Sequence, residues 1–447
     1  MSTELENKRQ RSEVGAAVAN QGRSSEDPPG LIIPEGPSRR VTLRGLKKKA
    51  QQIQEFQEDW RQRILAPMPR KEAPVFTTPE IAEMCNLKSS QVAYLARKED
   101  NSLPAGRSNG AGNGRIFTLA ETRSWVQQMS EIYQTPLAAQ SDDVGDFRGK
   151  VIGTVQLKGG STKTTTTMCL AQALSLRGRK VLIIDLDPQG SCTELCGLYA
   201  EKGVREQDSL LPYIYDVYNK LTGGESNMPD GLRGQIQSTY WDGVDVIPGH
   251  TMLHQAEYLL PAMQRDIPGF FFWTVLRDAL EPLRKHYDYI LMDTAPSLSY
   301  TNLNALFAAD AMVMPMVPEN LDFLSSLTFW NLFSEVIDPL MEFEADKSYS
   351  FISILLSRVE YGPQSNVEVV KAWARNAYDQ WVDPFEVPAS TVMSSSGLKI
   401  STVFDMSKNS STYKSLQRVR QPLVEYARWL DDQFVKEWQA ENEKEVA

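Results

Sequence analysis

The sequence predicts an α/β fold, a mostly parallel, doubly wound sheet preceded by an N-terminal helix and a small winged helix-turn-helix domain. Three observations predict it. Five almost uninterrupted apolar runs, VIGTVQ, KVLIID, DYILMD, AMVMPMV and SFISILLS, are separated by helical stretches. Strands apolar on both sides are those of a parallel sheet covered by helices on both faces. Ahead of them, TTPEIAEMCNLKSSQVAYLARKEDNSLP carries two short helix-start signals in succession, and a glycine-rich hairpin follows. Earlier still, Leu46, Ala50, Ile53, Phe56, Trp60 and Ile64 recur every three or four positions, the stripe of an amphipathic helix.

Taken in order, residues 1–40 are rich in Ser, Gly, Pro and Glu without apolar periodicity, a disordered tail. Residues 41–66 form the striped helix, which ends before Pro67 and needs a neighbouring domain or a second chain to cover it. Residues 67–135 form the winged domain. Thr78 and Ser89 are its N-caps, Pro79 opens the first helix, and Ile81, Ala82, Leu87 and Val92 face inward. The second helix would enter a major groove with Gln91, Tyr94, Arg97 and Lys98 outward. Arg107 and Arg115 flank the hairpin and would reach phosphates. A linker, 136–149, precedes the large domain, 150–430, and an acidic tail, 431–447, closes the chain.

Composition narrows the function. The net charge of −10 disfavours nucleic acid globally, but the acidic excess falls after residue 150, and local basic patches carry phosphate contacts. The region GLKISTVFDMSKNSSTYKSLQRVRQPL supplies one such patch, with Lys399, Lys408, Lys414, Arg418 and Arg420. Four cysteines without a C-x-x-C pair argue against a zinc or disulfide framework and for reduced structural thiols. No run of about 18 apolar residues and no signal-type N-terminus occur, so the expected location is the cytoplasm.

Three motifs carry the chemistry. KGGSTKTTTT, residues 158–167, lies between a buried strand and a helix starting at Thr164, the context of a phosphate-binding P-loop. Backbone N–H groups of Gly159, Gly160, Ser161 and Thr162 and the helix N-terminus would converge on phosphate oxygens. Lys163 would reach the β and γ phosphates, Thr164 would hold Mg²⁺, and Thr165 would lie near the α phosphate. KVLIIDLDPQGSCT puts Asp185 and Asp187 at a strand end beside the loop, where two carboxylates could hold the metal's water shell and orient an attacking water. DYILMDTAPS ends a strand in Asp293, the Walker B position, with a turn suited to sensing the γ phosphate.

Together and in this order, KGGSTKTTTT, DLDPQGSCT and DTAPS resemble the deviant-Walker ATPases of the ParA and MinD group over about residues 150–430. The resemblance implies that Lys158 is a signature lysine reaching the partner's phosphates across a nucleotide-sandwich homodimer, with ATP and ADP as ligands. It implies that Lys163 is the loop lysine, Asp187 the water-positioning residue and Asp293 the Walker B acid. The N-terminal helix and winged domain resemble the large ParA proteins. So do DVIPGHTMLHQAEYLL and VMPMVPENLDF, the latter similar to the strand and loop near the nucleotide base.

The function implied is DNA partition. An ATP dimer would bind DNA non-specifically on the nucleoid, a ParB-like partner would stimulate hydrolysis, and operator binding would repress the protein's own operon. The alternatives are a MinD-like positioning ATPase, disfavoured by the acidic C-terminus, and a nucleotide-sensing repressor. Thr162 departs from the usual Gly. Because a β-branched residue resists positive φ, the expectation there is negative φ or an altered nucleotide affinity.

Overall fold

The computed structural model describes residues 42–65, 71–98, 102–110, 114–133, 148–198, 204–343, 347–363, 365–389, 400–406 and 413–446. The expected tail 1–40, most of the expected linker, Lys399 and Lys408 lie outside them. The striped N-terminal segment is a helix, Leu43–Leu65, on which Leu46, Ile53 and Phe56 are each more than half exposed.

From residue 71 onward the chain is one compact unit. β1 (Phe76–Thr77) leads into the helix Thr78–Met84. Its N-cap is Thr77, one residue before the expected Thr78, because Glu80 reaches back to accept from the Thr77 amide (2.8 Å) and hydroxyl (2.7 Å). The second helix, Ser89–Leu95, is capped the same way, with Gln91 accepting from the Lys88 amide at 2.8 Å, so the N-cap is Lys88 and not Ser89. The hairpin strands β2 (Arg107–Ser108) and β3 (Arg115–Phe117) are antiparallel, and β3 also pairs with β1. The helix Leu119–Tyr133 then packs its buried Trp125, Val126 and Met129 into the same apolar cluster as Leu170 and Leu174 of the following domain.

That domain is an eight-stranded sheet of order β11-β10-β9-β4-β8-β5-β7-β6. The five predicted runs form β4 (Lys150–Thr154), β5 (Val181–Asp185), β8 (Tyr289–Asp293), β9 (Ala311–Met316) and β10 (Phe351–Val359). Sequence reading did not find β6 (Gln237–Ser238), β7 (Val244–Ile247) and β11 (Val382–Pro388). All neighbours are parallel except β6 with β7. Ile290 and Met292 of β8 enter one apolar cluster while Tyr289 and Leu291 enter the other, so the central strands are buried on both faces.

The stretch expected as an acidic tail is instead the second half of one helix, Tyr413–Val446. Phe434 is fully buried, and Asp431, also fully buried, holds Arg177 (2.7 Å) and Arg179 (2.8 Å) beneath the sheet. The acidic composition there hid Phe434 and Trp438, which continue the apolar stripe of Leu423, Tyr426 and Leu430 in the same core cluster as the sheet.

Candidate active site

Parallel pairing brings three strand ends level. Thr154 lies opposite Asp293 and Asp293 opposite Asp185, so the carboxyl ends of β4, β8 and β5 share one rim. This is where ligands bind in open α/β sheets. The chain leaves β4, passes through residues 157–162 and enters the helix Lys163–Leu176, which starts one residue before the expected Thr164. Gly160 (φ 79°) provides the turn, and nothing crowds the outer side of Gly159 or Gly160.

At Thr162 the expected negative φ is overturned, since the residue is left-handed at φ 72°. A β-branched residue there stores roughly 1–2 kcal/mol of strain. The compensation is a hydrogen bond: Thr162 Oγ1 donates to Ser357 Oγ at 2.9 Å, tying the loop to the end of β10. Ser357 is buried, so Thr162→Val should cost about 1–3 kcal/mol by stranding it. Thr162→Gly, which also relieves the backbone, should stay within about 1 kcal/mol of the parent. Urea unfolding of the two variants checks the order.

Lys163 is buried, and its Nζ donates to the Lys158 carbonyl at 3.3 Å. Burial pushes its pKa down, opposed by Asp293 and then Asp187. Asp293 is fully buried and accepts from Thr167 Oγ1 at 3.3 Å. Burial, with Asp185 as the next cause, drives its pKa well above the carboxylate range, while the Thr164 hydroxyl and Lys163 oppose the rise. Thr164, Lys163 and Asp293 are therefore brought together as expected. Thr165 and Ser161 line the same cleft, a volume of about 860 Å³.

Asp187 also lines the cleft, accepting from the Gln189 amide at 2.9 Å. Asp185 is differently employed. One oxygen accepts from the Thr193 amide (2.8 Å) and hydroxyl (2.7 Å), the other from the Asp187 amide (3.2 Å). With both oxygens engaged, it caps the next helix and shapes the turn that presents Asp187. Beneath this turn lies Gly249, at the end of the segment DVIPG, a site position that the sequence motifs do not signal. A Cβ there would stand 2.7 Å from the Asp187 carbonyl oxygen. Gly249→Ala should therefore displace Asp187 and lower ATP turnover at least about tenfold while changing nucleotide affinity little, which steady-state kinetics beside binding titrations would check.

Lys158 sits at the rim and pairs with Asp322, a carboxylate only 2% exposed at the start of the helix Asn320–Ile337. Three buried polar atoms by these motifs, Gln156 Nε2, Ser161 Oγ and Asp293 Oδ2, have no hydrogen-bond partner among the described residues. A buried loop hydroxyl and a carboxylate oxygen so placed fit a phosphate and its divalent cation.

The expected DNA-contacting residues divide. Tyr94, Arg97, Lys98, Arg107 and Lys414 are exposed, as is Gln91 beyond its capping bond. Arg115 turns its guanidinium back onto the hairpin, to the Ala105 and Gly106 carbonyls. Arg418 donates to the Ala389 carbonyl at 2.9 Å and lines the cleft. Arg420 is buried with its guanidinium 5.0 Å from the centre of the Phe404 ring, which takes it out of the expected surface patch.

An AAA domain family matches residues 149–341. Protein SopA of Escherichia coli K12 is 27% identical over 363 residues, covering 80% of this chain and 86% of SopA. The sporulation initiation inhibitor protein Soj of Bacillus subtilis is 36% identical over 169 residues, 38% of this chain and 58% of Soj. A solved structure described as a partition protein, 20% identical, superposes with a TM-score of 0.57 over 87% of this chain and 96% of its own, a likeness of fold. Residues 149–341 thus match an AAA domain family, and the chain is a P-loop ATPase similar to SopA and Soj.

Proposed function

We propose that this ATPase is a DNA-partition protein in which ATP drives formation of a homodimer that binds DNA. The observation that carries the reading is Lys158. The loop holds two lysines, and only Lys163 points toward the strand-end carboxylates; Lys158 stands at the rim, held by Asp322. A cation in that place suits delivery to the phosphates of a second copy, where it would stabilise charge developing on the transferring phosphoryl group.

Within one site, the loop amides and Lys163 bind the triphosphate, Thr164 and Asp293 hold Mg²⁺, and Asp187 orients the attacking water. Bound magnesium supplies neutralisation of phosphate charge. Hydrolysis is slow alone and stimulated by DNA and a ParB-like partner. The winged module would add operator binding and repression of the protein's own operon. Its docking supports coupling to the nucleotide: Arg123 pairs with Asp242 (2.5 Å) and donates to the Ser175 and Arg179 carbonyls (3.1 Å each) at the far end of the P-loop helix.

A membrane-switching role is disfavoured, since it needs a free amphipathic helix whereas Phe434 and Trp438 are packed in the core. The nucleoid-bound cytoplasm is the proposed location. Gel shifts on promoter and random DNA with ADP and ATP test the whole reading. ATP-dependent binding to random DNA and nucleotide-dependent binding to the promoter are expected; binding indifferent to nucleotide on both would refute it.

A further inference from the structure

The end of β10 carries features that the three motifs leave unexplained. Its pairing with β11 slips between Leu356 and Val359, a bulge, and within it Arg358 is left-handed at φ 51°. Bulges re-aim side chains, and a left-handed position ordinarily selects glycine. Here consecutive side chains diverge. Ser357 turns inward and holds Thr162, while Arg358 turns outward and its Nη1 donates to the Gly160 carbonyl at 3.5 Å. Two of the five described non-glycine residues with positive φ, Thr162 and Arg358, thus meet at one loop.

Arg358 is also shared by two adjoining cavities. One is the phosphate-loop cleft; the other, about 600 Å³, is lined by Val317, Glu319, Asn320 and Tyr361. Among the described residues no ion pair engages its guanidinium, although the Asp322 carboxylate lies within electrostatic reach. An exposed planar fork of donors beside an anion-binding loop is suited to phosphate oxygens, which it can take two at a time.

We propose that Arg358 is a nucleotide-contacting residue, its guanidinium binding a phosphate oxygen of the ATP held by its own protomer where the cleft opens into the second cavity. The contact would be made in cis and is distinct from that of Lys158. The inference rests on the phosphate-loop reading of residues 158–165.

Arg358→Gly is the informative variant because glycine suits the left-handed backbone, so the fold should be kept or slightly stabilised while the cation is removed. Fluorescence titration of the full chain in Mg²⁺ with a non-hydrolysable ATP analogue and with ADP should show ATP-analogue affinity falling about tenfold. Arg358→Lys should recover part of it, and the melting temperature without nucleotide should not fall. A matching loss for ADP would place the contact on the α or β phosphate, and sparing of ADP would place it on the γ phosphate. Analogue affinity within about twofold of the parent overturns the proposal, also when DNA binding is lost, which would make Arg358 a DNA contact. A parent chain that binds neither nucleotide overturns the phosphate-loop reading and this proposal with it, whereas a binding parent with an unaffected Arg358→Gly overturns this proposal alone.

Discussion

Replacing Lys163 by alanine is expected to lower ATP turnover at least about a hundredfold and to weaken ATP binding with it. Lys163 is the buried cation beside the strand-end carboxylates, and burial already lowers its pKa. Asp293 and Asp187 offset that burial only in part, and the phosphate chain of a bound nucleotide would add further negative charge to the ammonium. Among the described residues its one hydrogen bond is the 3.3 Å contact with the Lys158 carbonyl, so the fold without nucleotide should lose little. Nucleotide titration, steady-state hydrolysis and a melting curve separate the two effects. Full DNA-stimulated turnover in this variant would show that the site lies elsewhere.

Lys158→Ala should have a different profile, abolishing ATP-dependent dimers and reducing hydrolysis at least about a hundredfold while leaving ADP affinity within a few fold. The distinction follows from position. Lys158 is about one-third exposed at the rim and paired with Asp322, whereas Lys163 is buried in the cleft. Truncating Lys158 also leaves a buried carboxylate without its ammonium, which is costly in itself. The double variant Lys158→Ala, Asp322→Asn removes both charges and isolates the functional loss. Light scattering with ATP and ADP reads the dimer; dimers that persist with ATP in the double variant would count against the sandwich arrangement.

Much of this site was legible in the sequence because its determinants are local. Strand, loop and helix are contiguous, and Asp185, Asp187 and Asp293 each end an apolar run, so pattern alone placed them on one rim. What sequence missed depends on partners far along the chain. Positive φ at Thr162 runs against the preference of a β-branched residue, and the hydroxyl that offsets it belongs to Ser357, 195 residues away. The Lys158 partner, Asp322, is separated by 164 residues. Asp185 looked like a metal ligand because a strand-end carboxylate has the same appearance whether it faces a cation or caps the next helix. β11 went unread since Pro384 and Pro388 interrupt its pattern, which the sheet tolerates because β11 is an edge strand. The acidic C-terminal residues were read by charge, while their apolar spacing decided that they dock as helix.

The central claim, that Lys158 serves the nucleotide of a second copy, is tested most directly by mixing two inactive variants. Lys158→Ala lacks the delivered lysine but keeps Asp187; Asp187→Ala keeps Lys158 but lacks the water-positioning carboxylate. In a mixed dimer, one of the two sites has Asp187 in place and receives Lys158 from its neighbour. With half the dimers mixed, equal amounts of the two should recover up to about a quarter of parental ATP turnover, far above either variant alone. Turnover no greater than the sum of the separate variants would mean that Lys158 acts within its own chain, contrary to the account given for this loop.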